Sequence, residues 1–126
     1  MNRNKINLEI FGVRTLALVD NGAAISCISE ELYIKLKGNN PKVEVTNAMN
    51  IYGVGGEIHR VIGKVTLPLK FKGLDINYAF FIIGDLQYSL ILGDNFLLDN
   101  KCNIHYPSRT LYLHESAWQV AIITTT

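Results

Sequence analysis

A small, mostly antiparallel β-barrel or sandwich with one or two short helices is the fold class that this chain predicts. Short apolar runs recur along it, Gly, Asp and Pro signals separate them, and only two stretches read as helix. With 126 residues and 48% hydrophobic content, the chain makes one globular domain with a modest core. Ile6, Leu8 and Ile10 alternate with polar residues, Gly12 marks a turn, and Thr15 to Val19 is apolar enough for a buried strand, which together predict a first hairpin. Ser29 ahead of Glu30-Glu31-Leu32 predicts a capped helix ending near Gly38, with acids at its positive end and Lys35 and Lys37 at its negative end. Asn39-Asn40-Pro41 then breaks the chain. Strands are expected over Val43 to Thr46, Met49 to Tyr52, Ile58 to Leu67, Leu74 to Ile83, Ser89 to Leu92, Asn103 to Tyr106 and Thr110 to Leu113. The core is expected over about 6–113. The tail 114–126 has β-forming residues but no evident partner within the chain, so it is expected to pair across a dimer.

Composition excludes several function classes. A net charge of +1 without a cluster of Lys or Arg argues against a nucleic-acid footprint. No run approaches the roughly 18 apolar residues of a membrane span, and Asn2-Arg3-Asn4-Lys5 lacks the apolar core of a signal peptide. Cys27 and Cys102 match no metal-ligand spacing and read as buried reduced thiols, which points to a reducing, cytoplasmic location. His59, His105 and His114 are spaced neither for a metal nor for a Ser-His-Asp arrangement, and are expected at solvent-facing or strand-edge positions. Trp118 and the six tyrosines read as packing groups, and Lys70 to Asp75 as a solvated turn.

The stretch that carries chemistry is Leu16-Ala17-Leu18-Val19-Asp20-Asn21-Gly22-Ala23-Ala24. An apolar strand ending on a carboxylate before Asn-Gly puts Asp20 on a tight loop where backbone N–H groups orient it. The same pattern alone also marks an ordinary hairpin turn with a solvated Asp. Some seventy residues on, Ser89-Leu90-Ile91-Leu92-Gly93-Asp94-Asn95-Phe96-Leu97 is a second buried strand that reaches a glycine and turns into a short helix. Between them, Gly53, Gly55 and Gly56 around Val54 tip a hairpin that can fold over an extended substrate. A phosphate-binding reading fails there, since no Gly-Lys-Ser/Thr ending or strand-to-helix switch follows.

Together these segments resemble the aspartic proteases of retroviruses and long-terminal-repeat retrotransposons, over roughly Ile6 to Leu113. In that family an apolar-Asp-Thr/Ser-Gly-Ala loop precedes a flap and an Ile-Leu-Gly-x-x-Phe-Leu helix. The resemblance implies a small closed β-barrel-like acid protease fold, active as a homodimer, in which two carboxylates about 3 Å apart share a proton and activate water. One Asp-x-Gly loop of this kind occurs in the chain, so the second carboxylate is expected from Asp20 of another copy across a two-fold axis.

The resemblance assigns Asp20 as catalytic, Asn21, Gly22 and Ala23 as the active-site loop, and Ala24, Gly53, Val54, Gly55, Gly56, Ile58, Leu90 and Ile91 as substrate-binding. Ordinary core packing is at least an equal reading for Val54, Ile58, Leu90 and Ile91. No metal or organic cofactor is needed, and the implied partners are a second copy and a peptide, most plausibly a Gag-Pol-type polyprotein cleaved in the cytoplasm or inside virus-like particles. Met1 is compatible with a start set on a segment cut from a longer polyprotein. Two positions depart from the family. Asn21 replaces the Thr or Ser whose hydroxyl braces two loops across the dimer axis, and its amide splits donor and acceptor between two atoms. Ile25 and Asp94 stand where retroviral enzymes commonly pair an acid with an Arg, both members changing together. The competing reading, favoured by Asn21, is a dimerisation or peptide-binding module of the same shape without catalysis.

Overall fold

The computed structural model describes residues 3–46, 50–52 and 57–125. The first hairpin forms as expected: β1 (Arg3–Ile10) pairs antiparallel with β2 (Val13–Val19) from Lys5↔Leu18 to Ile10↔Val13. Its two-residue turn has Phe11 at φ 50° and Gly12 at φ 78°, the left-handed pair that matches the twist of a tight hairpin. Ile6, Leu8 and Ile10 all point into the core. After the loop at 20–26 come β3 (Cys27–Ser29) and α1 (Glu30–Leu36), where the Ser29 hydroxyl accepts the Leu32 N–H at 3.0 Å. A 3-10 turn over Lys37–Asn39 and a left-handed Asn40 (φ 52°) end the helix ahead of Pro41.

The remaining elements are β4 (Lys42–Glu44), β5 (Asn50–Tyr52), β6 (Ile58–Phe71), β7 (Leu74–Ile83), β8 (Leu90–Leu92), α2 (Asp94–Asp99), β9 (Asn103–His105), β10 (Thr110–Leu113), β11 (Trp118–Ala121) and β12 (Ile123–Thr125). The strand expected over Met49 to Tyr52 is described from Asn50 onward, and Met49 lies outside the described residues. β6 runs on to Phe71 rather than stopping at Leu67, because the alternation of buried Val65, Leu67, Leu69 and Phe71 continues to a two-residue turn at Lys72-Gly73.

The sheet order β12-β1-β2-β8-β3-β7-β6-β4 closes on itself through Glu9↔Lys70 and Ile10↔Leu69, which join β1 to β6. The result is the closed, mostly antiparallel barrel that the sequence predicts. Two pairings are parallel, β2 with β8 and β3 with β7. They bring the carboxyl ends of β2 and β8 together at one rim. The barrel is filled by Ile6, Ile10, Ile28, Leu67, Phe80 and Leu92, all essentially inaccessible to solvent. Phe96 of α2 plugs it, packing edge-on against Tyr78 at 5.0 Å between ring centroids.

The tail departs from the sequence reading. Trp118–Ala121 pairs with β10, and Ile123–Thr125 pairs with β1 from Arg3↔Thr125 to Lys5↔Ile123, so its partners lie in its own chain. The signal that was missing is tertiary. The Trp118 indole donates to the Gly73 carbonyl at 3.0 Å and its ring stands edge-on to His114, pinning the tail against the β6–β7 turn.

Phe96→Ala removes the plug and its contacts with Tyr78 and Phe71. It should lower unfolding free energy by about 3–5 kcal/mol, read as a shift in urea midpoint at unchanged slope.

Candidate active site

At the rim where β2 and β8 end, the chain from Asp20 to Ser26 is held against the β8–α2 junction. The Asp20 N–H donates to the Leu92 carbonyl at 3.0 Å, continuing the parallel ladder by one bond. The Asp20 carboxylate then accepts the Gly22 N–H at 2.9 Å, and the Ala23 N–H reaches back to the Asp20 carbonyl at 3.2 Å. A Cβ at Gly22 would stand 3.2 Å from that carboxylate oxygen, so a side chain there would crowd the group it orients. Farther along, the Ala23 carbonyl accepts the Asp94 N–H at 2.6 Å and the Ala24 carbonyl accepts the Asn95 N–H at 3.3 Å.

Gly93 is the tightest point. A Cβ there would fall 2.6 Å from the Ile25 carbonyl carbon and 2.9 Å from the Ala23 oxygen, both fixed backbone. Directly beneath lies Ser26, fully buried, whose hydroxyl donates to Asn95 Oδ1 at 2.7 Å and accepts the Gly93 N–H at 2.9 Å. Asn95 Oδ1 also accepts the Phe96 N–H at 2.8 Å. Ser26 and Asn95 therefore join loop to helix near the place where retroviral enzymes commonly use an acid and an Arg. Sequence reasoning passed over both, although a lone hydroxyl inside Ile25-Ser26-Cys27-Ile28 was the available signal.

Above the loop opens a cleft of about 410 Å³. Asp20, Gly22, Ala23 and Ala24 form its floor, with Ile91 and Cys27 beside them. One wall is Ile51, Glu57 and His59 on the β5–β6 hairpin; the other is Leu86, Gln87 and Tyr88 on the β7–β8 loop. The size and apolar lining suit side chains of an extended peptide. Burial pushes the Cys27 thiol up to about 11, which keeps it a protonated, inert part of the floor. No group of three or more metal-ligating side chains occurs among the described residues, and no helix there is long and apolar enough to cross a membrane.

Several assigned positions fall elsewhere. Gly53, Val54, Gly55 and Gly56 lie outside the described residues. Leu90 is fully buried in the barrel core, because β8 alternates and only Ile91 turns to the cleft. Ile58 is exposed, since on β6 it faces opposite to His59. Asn21 is exposed and borders a second groove with Asp94, Leu98, Asn103, Ile104 and Tyr106, on the other side of the loop from the cleft.

His59, expected at a solvent-facing or strand-edge position, belongs to the cleft. Its Nδ1 lies 3.1 Å from Asp85 Oδ1 and its Nε2 3.7 Å from Glu57 Oε1. The hydrogen bond to Asp85 is the main cause holding the imidazole above its ordinary 6.5, and the same bond holds Asp85 below its usual carboxylate range.

The barrel rim thus presents a backbone-oriented Asp on an Asp-x-Gly loop beneath an apolar cleft. The chain belongs to the retroviral aspartyl protease family, whose sequence profile matches residues 1–105. A comparison with curated proteins finds no match. Among solved structures it is similar to the retroviral protease-like domain of Ddi1 from Leishmania major, at 22% identity and TM-score 0.79 over 98% of this chain and 95% of that one. It is also similar to EIAV protease complexed with the inhibitor HBY-793, at 23% identity and TM-score 0.62 over 82% of this chain and 92% of that one. At those identities the likeness is one of retropepsin fold.

Gly93→Ala should prevent the loop from seating, leaving a destabilised protein with increased protease sensitivity between Asp20 and Ser26. Cys27 and Cys102, both raised to about 11 by burial, should react slowly with iodoacetamide at pH 7.5 in the folded protein and rapidly in denaturant.

Proposed function

We propose that the chain is an aspartic endopeptidase working as a homodimer, in which the Asp20 carboxylates of two copies share a proton and activate water against a peptide bond. The observation that carries this reading is Asp20 itself, fixed by the Gly22 N–H at 2.9 Å on the floor of the apolar cleft. In the shared-proton state one carboxylate takes a proton from water while the other donates to the scissile carbonyl. Gly22, Ala23 and Ala24 would contact the extended peptide, whose side chains enter the pocket between Ile51, Leu86 and Ile91. The substrate class we assign is a polyprotein of Gag-Pol type, cleaved in the cytoplasm or in virus-like particles.

Support for a second copy comes from the other side of the loop. Among the described residues β9 pairs with β10 alone, leaving an outer strand edge without a Lys, Arg, Asp or Glu to guard it. Beside that edge stand Leu98, 71% exposed, Tyr106, 60% exposed, and Asn21. A two-fold axis through this face would bring two Asp20 loops together, which a dimer joined at distant surfaces would not.

Asn21 favours the alternative, a peptide-binding or dimerisation module without turnover, because an amide cannot donate and accept through one atom as a hydroxyl does. Incubation of the purified chain with a peptide library between pH 4 and 7, with a pepstatin-type inhibitor and Asp20→Asn as controls, separates the two. The enzyme reading expects cleavage that the inhibitor stops and that Asp20→Asn lowers by at least about 10²–10⁴-fold. A folded dimer that cleaves nothing, with Asn21→Thr restoring hydrolysis, would establish the binding module.

A further inference from the structure

We propose that His59 is a positioning residue: through its bond to Asp85 it fixes the β5–β6 wall of the cleft relative to the β7–β8 loop, and so sets how tightly a peptide is held over Asp20. The assignment of the held ligand rests on the protease reading above; the positioning of the wall does not.

The need for such a contact follows from the sheet. β6 and β7 pair regularly from Phe71↔Leu74 to Gly63↔Ile82, then the register shifts at Ile62 and the last pair is Val61↔Ile83. Beyond it the backbone retains one long bond, from the Gly84 N–H to the Arg60 carbonyl at 3.5 Å. From Arg60 outward β6 has only β5 as a described strand partner, through Asn50↔Arg60, Ile51↔His59 and Tyr52↔Ile58. A two-stranded ribbon beyond a bulge is marginal by itself, and its direction is set by whatever side-chain contact holds it. His59 and Asp85 stand two residues past that last pair on either side, and their 3.1 Å bond continues the interstrand contact after the backbone has stopped. Because Ile51 is the cross-strand partner of His59 and packs on the cluster of Cys27, Val61 and Ile83, moving His59 moves the apolar wall.

The charged and titratable neighbours are few. Glu57 approaches Nε2 from the residue just ahead of β6 and Asp85 approaches Nδ1 from the loop, while β5 offers the uncharged Ile51. Asp20 on the loop after β2, Cys27 on β3 and Tyr88 on the β7–β8 loop line the same cleft. His59 is raised by its partners, so its contribution is complete below the ordinary 6.5 and is lost as pH rises through the raised value. Asp85 is lowered, so its contribution is complete above 3.8 and is lost as pH falls through the lowered value. Both are charged between those limits, the mildly acidic range in which an aspartic dyad can hold one proton.

The test is amide hydrogen exchange at Ile51 and Ile58–Arg60 in the full chain from pH 5 to 8, corrected for intrinsic rates and set beside the NMR titration of the His59 ring. Protection in the native sequence should fall by a factor of about 2–5 as the ring loses its proton, the range of a single exposed ion pair. His59→Gln and Asp85→Asn should sit at the low level throughout, and His59→Lys, a permanent cation, at the high level. In peptide hydrolysis the same differences should fall on KM rather than kcat. An Asp85→Asn variant with the native pH profile would overturn the proposal. The expected exchange profiles in a chain that cleaves nothing would uphold it and sink the protease reading instead.

Discussion

The crossing of residues 23–26 over Gly93 is the constraint on which the rest of the site depends. β2 and β8 run parallel, so their carboxyl ends meet at one rim, and the chain leaving β2 must turn away over the chain leaving β8. It does so with no room for a single additional carbon at Gly93. That closeness lets Ala23 and Ala24 present their carbonyls to the first N–H groups of α2, which would otherwise lack partners at a helix start. It also buries the Ser26 hydroxyl, which is tolerable because both its donor and its acceptor capacity are used. Asp20 inherits its position from this knot.

Floor and wall of the cleft are consequently of different mechanical character. Backbone bonds, a buried hydroxyl and the Phe96 plug tie the floor to the barrel core. Among the described residues the β5–β6 wall stands beyond a bulge on a ribbon of two strands, attached by a long backbone bond, the His59–Asp85 contact at the surface and the packing of Ile51 on Cys27, Val61 and Ile83. Local opening free energies follow contact density, so the wall belongs to the weakly held part of the molecule. On the proposed function, a site that admits an extended chain and still keeps a carboxylate in register requires that division of labour.

Most of the barrel was legible because its strands alternate cleanly, as in Ile6-Leu8-Ile10 and Val65-Leu67-Leu69, and because Ser29 and Asn40 use side chains and backbone angles that few other residues supply. The Asp20 loop was legible for the same local reason. What escaped the sequence was set by contacts between distant segments. The tail found β1 and β10 through Trp118, Leu90 and Ile91 divided between core and cleft by a register that β2 and β3 fix, and His59 gained its contact from Asp85, which lies 26 residues away. Ser26 shows the intermediate case: its burial among apolar neighbours could be read, but its partner Asn95 is 69 residues distant and could not.

The loop has two faces, and they divide its chemistry. Gly22, Ala23 and Ala24 line the cleft above Asp20, while Asn21 borders the groove of Leu98, Ile104 and Tyr106. A tight turn enforces this, since successive residues at its apex point to opposite sides. Position 21 is thus free to change without altering what the cleft presents to a peptide, and its chemistry matters only to whatever occupies the other groove. If a second copy does, an Asn21 amide from each side can donate to the other's oxygen, replacing two hydroxyls by a reciprocal amide pair with longer reach. The substitution would then demand a slightly wider separation of the loops, and the activity of the pair of Asp20 carboxylates would turn on whether that separation still lets them share one proton.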